Sequence, residues 1–107
     1  MPHESIALTE AVYYILLSLY SPLHGYGIMQ KVSHLSEGRV NLAAGTLYGA
    51  LNSLLEKGWI SSLADAENSR KKQYVITARG KEIAKGELSR LRELLANGES
   101  IIGGDHK

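Results

Sequence analysis

The stretch Gly45-Thr46-Leu47-Tyr48-Gly49-Ala50-Leu51-Asn52-Ser53-Leu54-Leu55-Glu56-Lys57-Gly58-Trp59-Ile60 decides the fold. Leu47, Leu51, Leu54 and Leu55 recur at i, i+4, i+7 and i+8, the spacing of a helix with one apolar face. Gly58 stops that helix, and the run Trp59 to Leu63 that follows reads as a strand. With the leucines turned inward, the outward face holds Gly45, Thr46, Gly49, Asn52, Ser53 and Glu56, with Tyr48 on its flank.

Downstream, a polar turn from Asp65 to Arg70 leads into a second strand, Lys72 to Ile76, so the two strands make a hairpin. Thr77 caps a last helix in which Ala84, Leu88, Leu91 and Leu95 recur at a/d spacing, a narrow seam suited to another helix. Ile83, Glu87, Arg90 and Leu94 lie on the adjacent face, and Asn97-Gly98 is expected to end the helix.

Upstream, Thr9 caps a first helix that ends before Ser21-Pro22. Its stripes Val12, Leu16, Leu19 and Tyr13, Leu17, Tyr20 leave it apolar on nearly all sides, which calls for cover on nearly all sides. In a small domain the simplest second cover is another subunit. Ser21 to Gly25 is a turn, after which a second helix turns Ile28, Val32 and Leu35 to the core and closes on Gly38 as its C′ residue. Arg39-Val40-Asn41-Leu42 is a short extended piece.

The order is helix, helix, short strand, helix, hairpin, helix. The expected fold is therefore mainly α with a small β-hairpin: a winged helix-turn-helix plus a C-terminal dimerisation helix. Residues 1–76 form the winged-helix DNA-binding region, 77–98 the dimerisation helix of the same domain, and 99–107 a flexible tail. The third helix of such a fold fits the roughly 12 Å wide major groove of DNA.

Composition narrows the function. At 107 residues the chain fits one domain and buries only about two-thirds of its unfolded surface, so dimerisation would add useful burial. The absence of cysteine removes disulfides, thiolate metal sites and a cysteine nucleophile. No run of about 18 apolar residues exists, and Met1-Pro2-His3-Glu4 lacks the basic start of a secretory signal; a cytoplasmic protein without membrane contact is expected. Net charge is only +1, yet Arg70 to Arg92 holds eight basic residues against two acids. Such a segment is either a DNA footprint or a solvated basic helix face.

Each outward residue has a DNA-facing reading. Glycine inside an exposed helix costs about 0.5–1 kcal/mol relative to alanine. At Gly49 that is either a mediocre surface position or room for close approach to DNA. Gly45 and Thr46 sit at a helix N-terminus, where free N–H groups favour phosphate. Tyr48 offers its hydroxyl to phosphate, while Asn52 and Ser53 are the candidate base-edge readers. Glu56 opposes a purely electrostatic grip. Asn68, Ser69, Arg70, Lys71 and Lys72 at the wing tip suit the minor groove or phosphates, and Tyr26, Gln30 and Lys31 the flanking backbone. The dimerisation set is Tyr13, Leu17, Tyr20, Leu88, Leu91, Leu94 and Leu95.

Three segments in order, His24-Gly25-Tyr26-Gly27-Ile28, Gly45-Thr46-Leu47-Tyr48 running through Leu51, Leu54, Gly58 and Ile60, and Lys72-Gln73-Tyr74 with Thr77 and Gly80, resemble the PadR-type bacterial transcriptional regulators. The resemblance covers roughly Leu8 to Leu95 and points to the short, single-domain subclass. It implies a homodimer whose last helix packs on the partner's first helix. It also implies a repressor of a palindromic operator, often released by a small aromatic or cationic compound or a phenolic acid. Tyr26, Thr46, Tyr48 and the basic wing would touch DNA. The chain departs from the pattern at Gly49, where proline is usual, at Gln73-Tyr74, where two tyrosines are common, and in carrying its one tryptophan at Trp59 rather than on the last helix. Tyr13 and Tyr14 are the candidates to line an effector pocket.

Catalytic chemistry is not expected. Ser69-Arg70-Lys71-Lys72 matches S-x-x-K without its companion motifs, His3, His24, His34 and His106 show no ligand spacing, and no phosphate loop exists. Neither a metal nor another cofactor is implied. The competing readings are a winged-helix protein–protein module without DNA binding, and an enzyme or small-molecule carrier.

Overall fold

Thr9 stands in extended conformation and its hydroxyl accepts the Val12 N–H at 3.1 Å, which starts helix α1, Glu10–Ser18. The other elements in this computed structural model, which describes residues 6–63 and 72–103, are β1 (Leu23–His24), α2 (Gly25–Leu35), α3 (Ala44–Glu56), β2 (Ile60–Leu63), β3 (Gln73–Ile76) and α4 (Ala78–Ile102). The three strands form one antiparallel sheet in the order β1-β3-β2, with Leu23 opposite Tyr74 and Ile60 opposite Ile76. The fold is the expected winged helix-turn-helix with a long final helix.

One core serves all layers. Ile15, Leu16 and Leu19 of α1 meet Ile28 and Val32 of α2 and Leu47 and Leu51 of α3, all fully buried. Trp59, Ile60, Tyr74 and Ile76 close it from the sheet side, so the tryptophan is a core residue. The backbone N–H of Ile76 donates to the Leu19 carbonyl and that of Thr77 to the Trp59 carbonyl, pinning the sheet to the ends of α1 and α3. Gly80 is there for contact: a Cβ would overlap the Trp59 carbonyl oxygen. Among the described residues, no helix is long and apolar enough to cross a membrane.

Both central helices end in the same motif. At the end of α3, the N–H of Gly58 donates to Leu55 O and that of Trp59 to Leu54 O, with Gly58 at φ +75°. This is a Schellman cap whose glycine sits where an L side chain is strained. At the end of α2 the N–H of Glu37 donates to His34 O and that of Gly38 to Ser33 O, so the C′ residue is Glu37, at φ +55°, and not Gly38. Gly38, at φ +83°, is the next residue.

The structure corrects four further expectations. The third strand is not Arg39–Leu42 but β1. In the 39–42 segment, Val40 N–H donates to Ser36 Oγ and Asn41 Nδ2 to Gly38 O, so polar groups there are satisfied locally and no ladder forms. Ser21–Gly25 is correspondingly more than a turn, since Leu23 and His24 pair with β3. Leu35 does not face the core; it is 37% exposed, one turn past the last buried residue of α2. Asn97-Gly98 does not end α4, which runs to Ile102. Gly98 keeps an ordinary negative φ, and helix interiors accept such a glycine at about 1 kcal/mol when neighbouring turns hold. Residues 99–102 of the expected tail are therefore helical, and 104–107 lie outside the described residues.

Candidate nucleic-acid interface

Four helices begin in two different ways. α1 and α4 are capped by threonine hydroxyls, Thr9 on Val12 N–H and Thr77 on Gly80 N–H. α2 and α3 begin after His24 and Ala43, with no side-chain cap and no acidic residue in the first turn. Free N–H groups at the positive end of a helix dipole favour an anion. The N-termini of α2 and α3 thus lack the side-chain cap that those of α1 and α4 carry.

Tyr48 joins those two N-termini. Its side chain lies so close over Gly25 that a Cβ at position 25 would overlap the phenol oxygen. The residue still keeps 45% of its surface exposed. Beneath it Tyr74 is buried, and its hydroxyl pKa is raised, first by burial and then by the neighbouring Tyr48 phenol. Tyr48 therefore has its ring on the domain and an open side, as the sequence suggested. Its seat on Gly25 was not foreseen. The signal available in the sequence was Gly25 itself, which the sequence reading assigned to the turn before α2.

On α3, Gly45, Thr46, Gly49 and Asn52 are exposed, and nothing in the chain lies within 4 Å of a Cβ built at Gly45 or Gly49. No internal crowding requires either glycine. Ser53 is half-buried and its hydroxyl accepts the Lys57 ammonium at 3.4 Å, so of the two proposed base readers Asn52 stands freer. On α2, Tyr26 is 65% exposed, and Gln30 and Lys31 are exposed one turn further on. Gln30 also lines an open groove with Met29, Ser33, His34, Asn41 and Leu42.

The wing root is placed by register. His24 lies opposite Gln73, and so does Leu63 on the other side, which sets Lys72 beside the start of α2. Lys72 is exposed, with its ammonium 5.9 Å from the Tyr74 ring centroid. Asn68, Ser69, Arg70 and Lys71 lie outside the described residues.

The basic segment divides in two. Arg79 pairs with Glu82, and Lys81 sits 5.5 Å from the Tyr20 ring, both beyond the Ile76 end of β3. That end is held by Leu19 and Trp59, while the Gln73 end adjoins His24. Arg79 and Lys81 thus stand at the end of β3 away from Lys72.

The proposed dimerisation residues differ in exposure. Leu88, Leu94 and Leu95 are exposed on α4, Leu91 is half-buried, Tyr13 and Leu17 are half-buried on α1, and Tyr20 is exposed. Tyr13 and Tyr14 stand with ring centroids 6.4 Å apart. Burial raises the Tyr13 hydroxyl pKa, and the Glu87 carboxylate adds to the effect. Sequence reading left Glu87 on a helix flank; the structure buries it to 3% exposure. Arg90 grips both its carboxylate oxygens at 2.8 Å, and the Leu8 N–H donates to it at 3.4 Å. Among the described residues no three His, Cys, Asp or Glu side chains gather as metal ligands.

Comparisons with known proteins bear on the fold as a whole. The profile of the "Transcriptional regulator PadR-like family" matches residues 14–85. A PadR family transcription regulator from Clostridium difficile is similar in structure with TM-score 0.72 at 21% identity, over 88% of this chain and 99% of that one. A PadR-like transcription factor from Bacteroides fragilis gives 0.67 at 25% identity, over 85% and 87%. A transcriptional regulator from Clostridium thermocellum gives 0.65 at 22% identity, over 90% and 92%. No curated protein matches the sequence.

Proposed function

The chain belongs to the PadR-like family of transcriptional regulators, and from that premise we propose that it acts as a homodimeric, ligand-responsive repressor of a palindromic operator. A regulator of this family works by binding DNA rather than by catalysis. The observation that carries the reading is the pairing of two uncapped helix N-termini, at His24 and Ala43, with exposed Tyr26, Tyr48 and Lys72 on one side of the domain.

In this reading α3 lies in the major groove. Gly45 and Thr46 bring its N-terminus against a phosphate, and Gly49 lets the helix approach closely. Asn52 pairs with a base edge and Ser53 assists it, while Tyr48 positions the backbone. Tyr26, Gln30 and Lys31 hold the flanking strand, and Lys72 with Asn68, Ser69, Arg70 and Lys71 forms the wing contact. Phosphate contacts fix register, and base contacts carry the sequence information. The α4 seam and the outer face of α1, through Tyr13, Leu17, Tyr20, Leu88, Leu91, Leu94 and Leu95, meet a second copy. Tyr13 and Tyr14 are placed to line an effector site at that junction.

A gel-shift titration with DNA from upstream of the chain's own gene, repeated across salt concentrations, tests this. Binding that weakens linearly in log[salt] and protects two related half-sites supports it. Absent or salt-insensitive binding would favour a protein–protein module instead.

A further inference from the structure

Tyr74 stands at the centre of the sheet. β3 is the middle strand, so Tyr74 is paired with Leu23 on one side and with Ser62 on the other. Side chains alternate along a strand, and the buried ones of β3 are Tyr74 and Ile76. Lys72, two residues ahead of Tyr74, belongs to the same face, and its ammonium stands 5.9 Å from the Tyr74 ring centroid. Tyr48 reaches the same ring from α3. Its phenol is seated on Gly25, directly after the strand that pairs with β3. It lies near enough to push the Tyr74 hydroxyl pKa further up after burial has raised it.

Burial alone does not call for a tyrosine at this position. A leucine would fill it without bringing in a hydroxyl that needs a partner. What the ring adds is a rigid face of negative potential, which attracts a cation and gives a second ring a surface to rest on. Lysine carries its charge on a flexible stem, and ordering that stem against a phosphate weakens the contact. A ring that already holds the ammonium removes part of that loss. We propose that Tyr74 is a positioning residue for DNA binding: its ring is a shared floor that holds Lys72 of the wing root and Tyr48 of α3 in fixed relation. The wing and the recognition helix then meet the duplex as one surface. The inference rests on the DNA-binding reading given above, and in it Tyr74 itself does not touch DNA.

Binding to random-sequence duplex DNA, where phosphate contacts dominate, tests the floor by double-mutant cycles. Tyr74→Leu keeps the core apolar and should weaken binding about two- to fivefold, the worth of a cation held over a ring at an exposed site. Lys72→Ala should then weaken binding less in the Tyr74→Leu chain than in the wild type, and so should Tyr48→Ala. Tyr74→Phe keeps the ring and should recover both the affinity and the coupling. A merely structural Tyr74 would lower the Tm of Tyr74→Leu and leave the losses multiplicative. Multiplicative losses in either cycle, or a Tyr74→Phe no better than Tyr74→Leu, overturn the inference. Should Tyr74→Leu not fold, NMR of the wild-type chain decides. The ring current of Tyr74 should move the Lys72 εCH2 protons upfield of those of exposed Lys31, and unshifted resonances overturn the inference. A wild type that binds no DNA ends the DNA-binding reading and the floor with it; binding with uncoupled losses ends the floor alone.

Discussion

Gly25 and Tyr48 come from different helices and meet because the glycine has no side chain. The contact gives position 25 a role that sequence alone did not show, and it makes a sharp prediction. Gly25→Ala forces the Tyr48 phenol off its seat, and since that ring is half in solvent it has somewhere to go. Stability should fall by only about 1 kcal/mol, while operator affinity falls about tenfold or more, equivalent to about 1.4 kcal/mol. Thermal melting and gel shift separate the two; a large loss of Tm with unchanged affinity would place Tyr48 in the core and not at the interface. Glu87 carries the second prediction at this scale. The Arg90 hydrogen bonds lower its pKa, outweighing the opposing desolvation, with Arg90's charge and the Leu8 amide assisting. A carboxylate held below its ordinary value stabilises fully above that value, about 4.3, and loses the contribution as pH falls through the lower folded value. Melting curves taken from neutral pH down should therefore show the Tm gap between wild type and Glu87→Gln closing in acid. A gap independent of pH would show that the charge contributes nothing.

At the scale of elements, the function proposed above has α3 and the wing divide the work of binding. Asn52→Ala should cost about 1–3 kcal/mol on the cognate operator and little on random DNA, leaving the salt dependence alone. Lys72→Ala should weaken binding to all sequences alike and reduce the salt slope by about 0.9. Affinities over a salt series, measured on both DNAs, distinguish the two; interchangeable effects would contradict the assignment. Thr77 joins two elements at once, accepting the Gly80 N–H at 3.0 Å and donating to Gly58 O at 2.7 Å. Thr77→Ala should cost about 1–2 kcal/mol by denaturant unfolding, a cap plus a tie between α4 and the end of α3. The caps at Thr9 and Thr77 and the glycine stop at Gly58 were legible in the sequence because each acts on backbone a few residues away. β1 was not, since two residues have no period. The length of α4 was not either, since Gly98 reads as a stop by composition and as an ordinary turn by its neighbours.

The whole molecule is longer than its mass requires, 65 × 36 × 20 Å with a radius of gyration of 16.2 Å against about 13 Å for a compact chain of this size. α4 alone, at 25 residues, is about 38 Å long, and in the homodimer proposed above a second copy would cover the exposed apolar side chains Leu88, Leu94 and Leu95 along it. Leu91→Glu should therefore give a monomer by light scattering, still folded and reduced to half-site affinity; a wild type that is itself monomeric would end that reading. The sequence by itself determined the order of elements, the apolar face of each helix, and the residues that face outward from α3. Those depend on periodicity and capping, which are local and written in consecutive residues. Only the tertiary structure decided that Glu87 is buried, that Tyr48 rests on Gly25, that a third strand forms at Leu23–His24, and that Arg79 and Lys81 lie at the far end of β3 from the wing root. Each of these is a contact between segments distant in the chain, and no spacing along one segment encodes what another will bring against it.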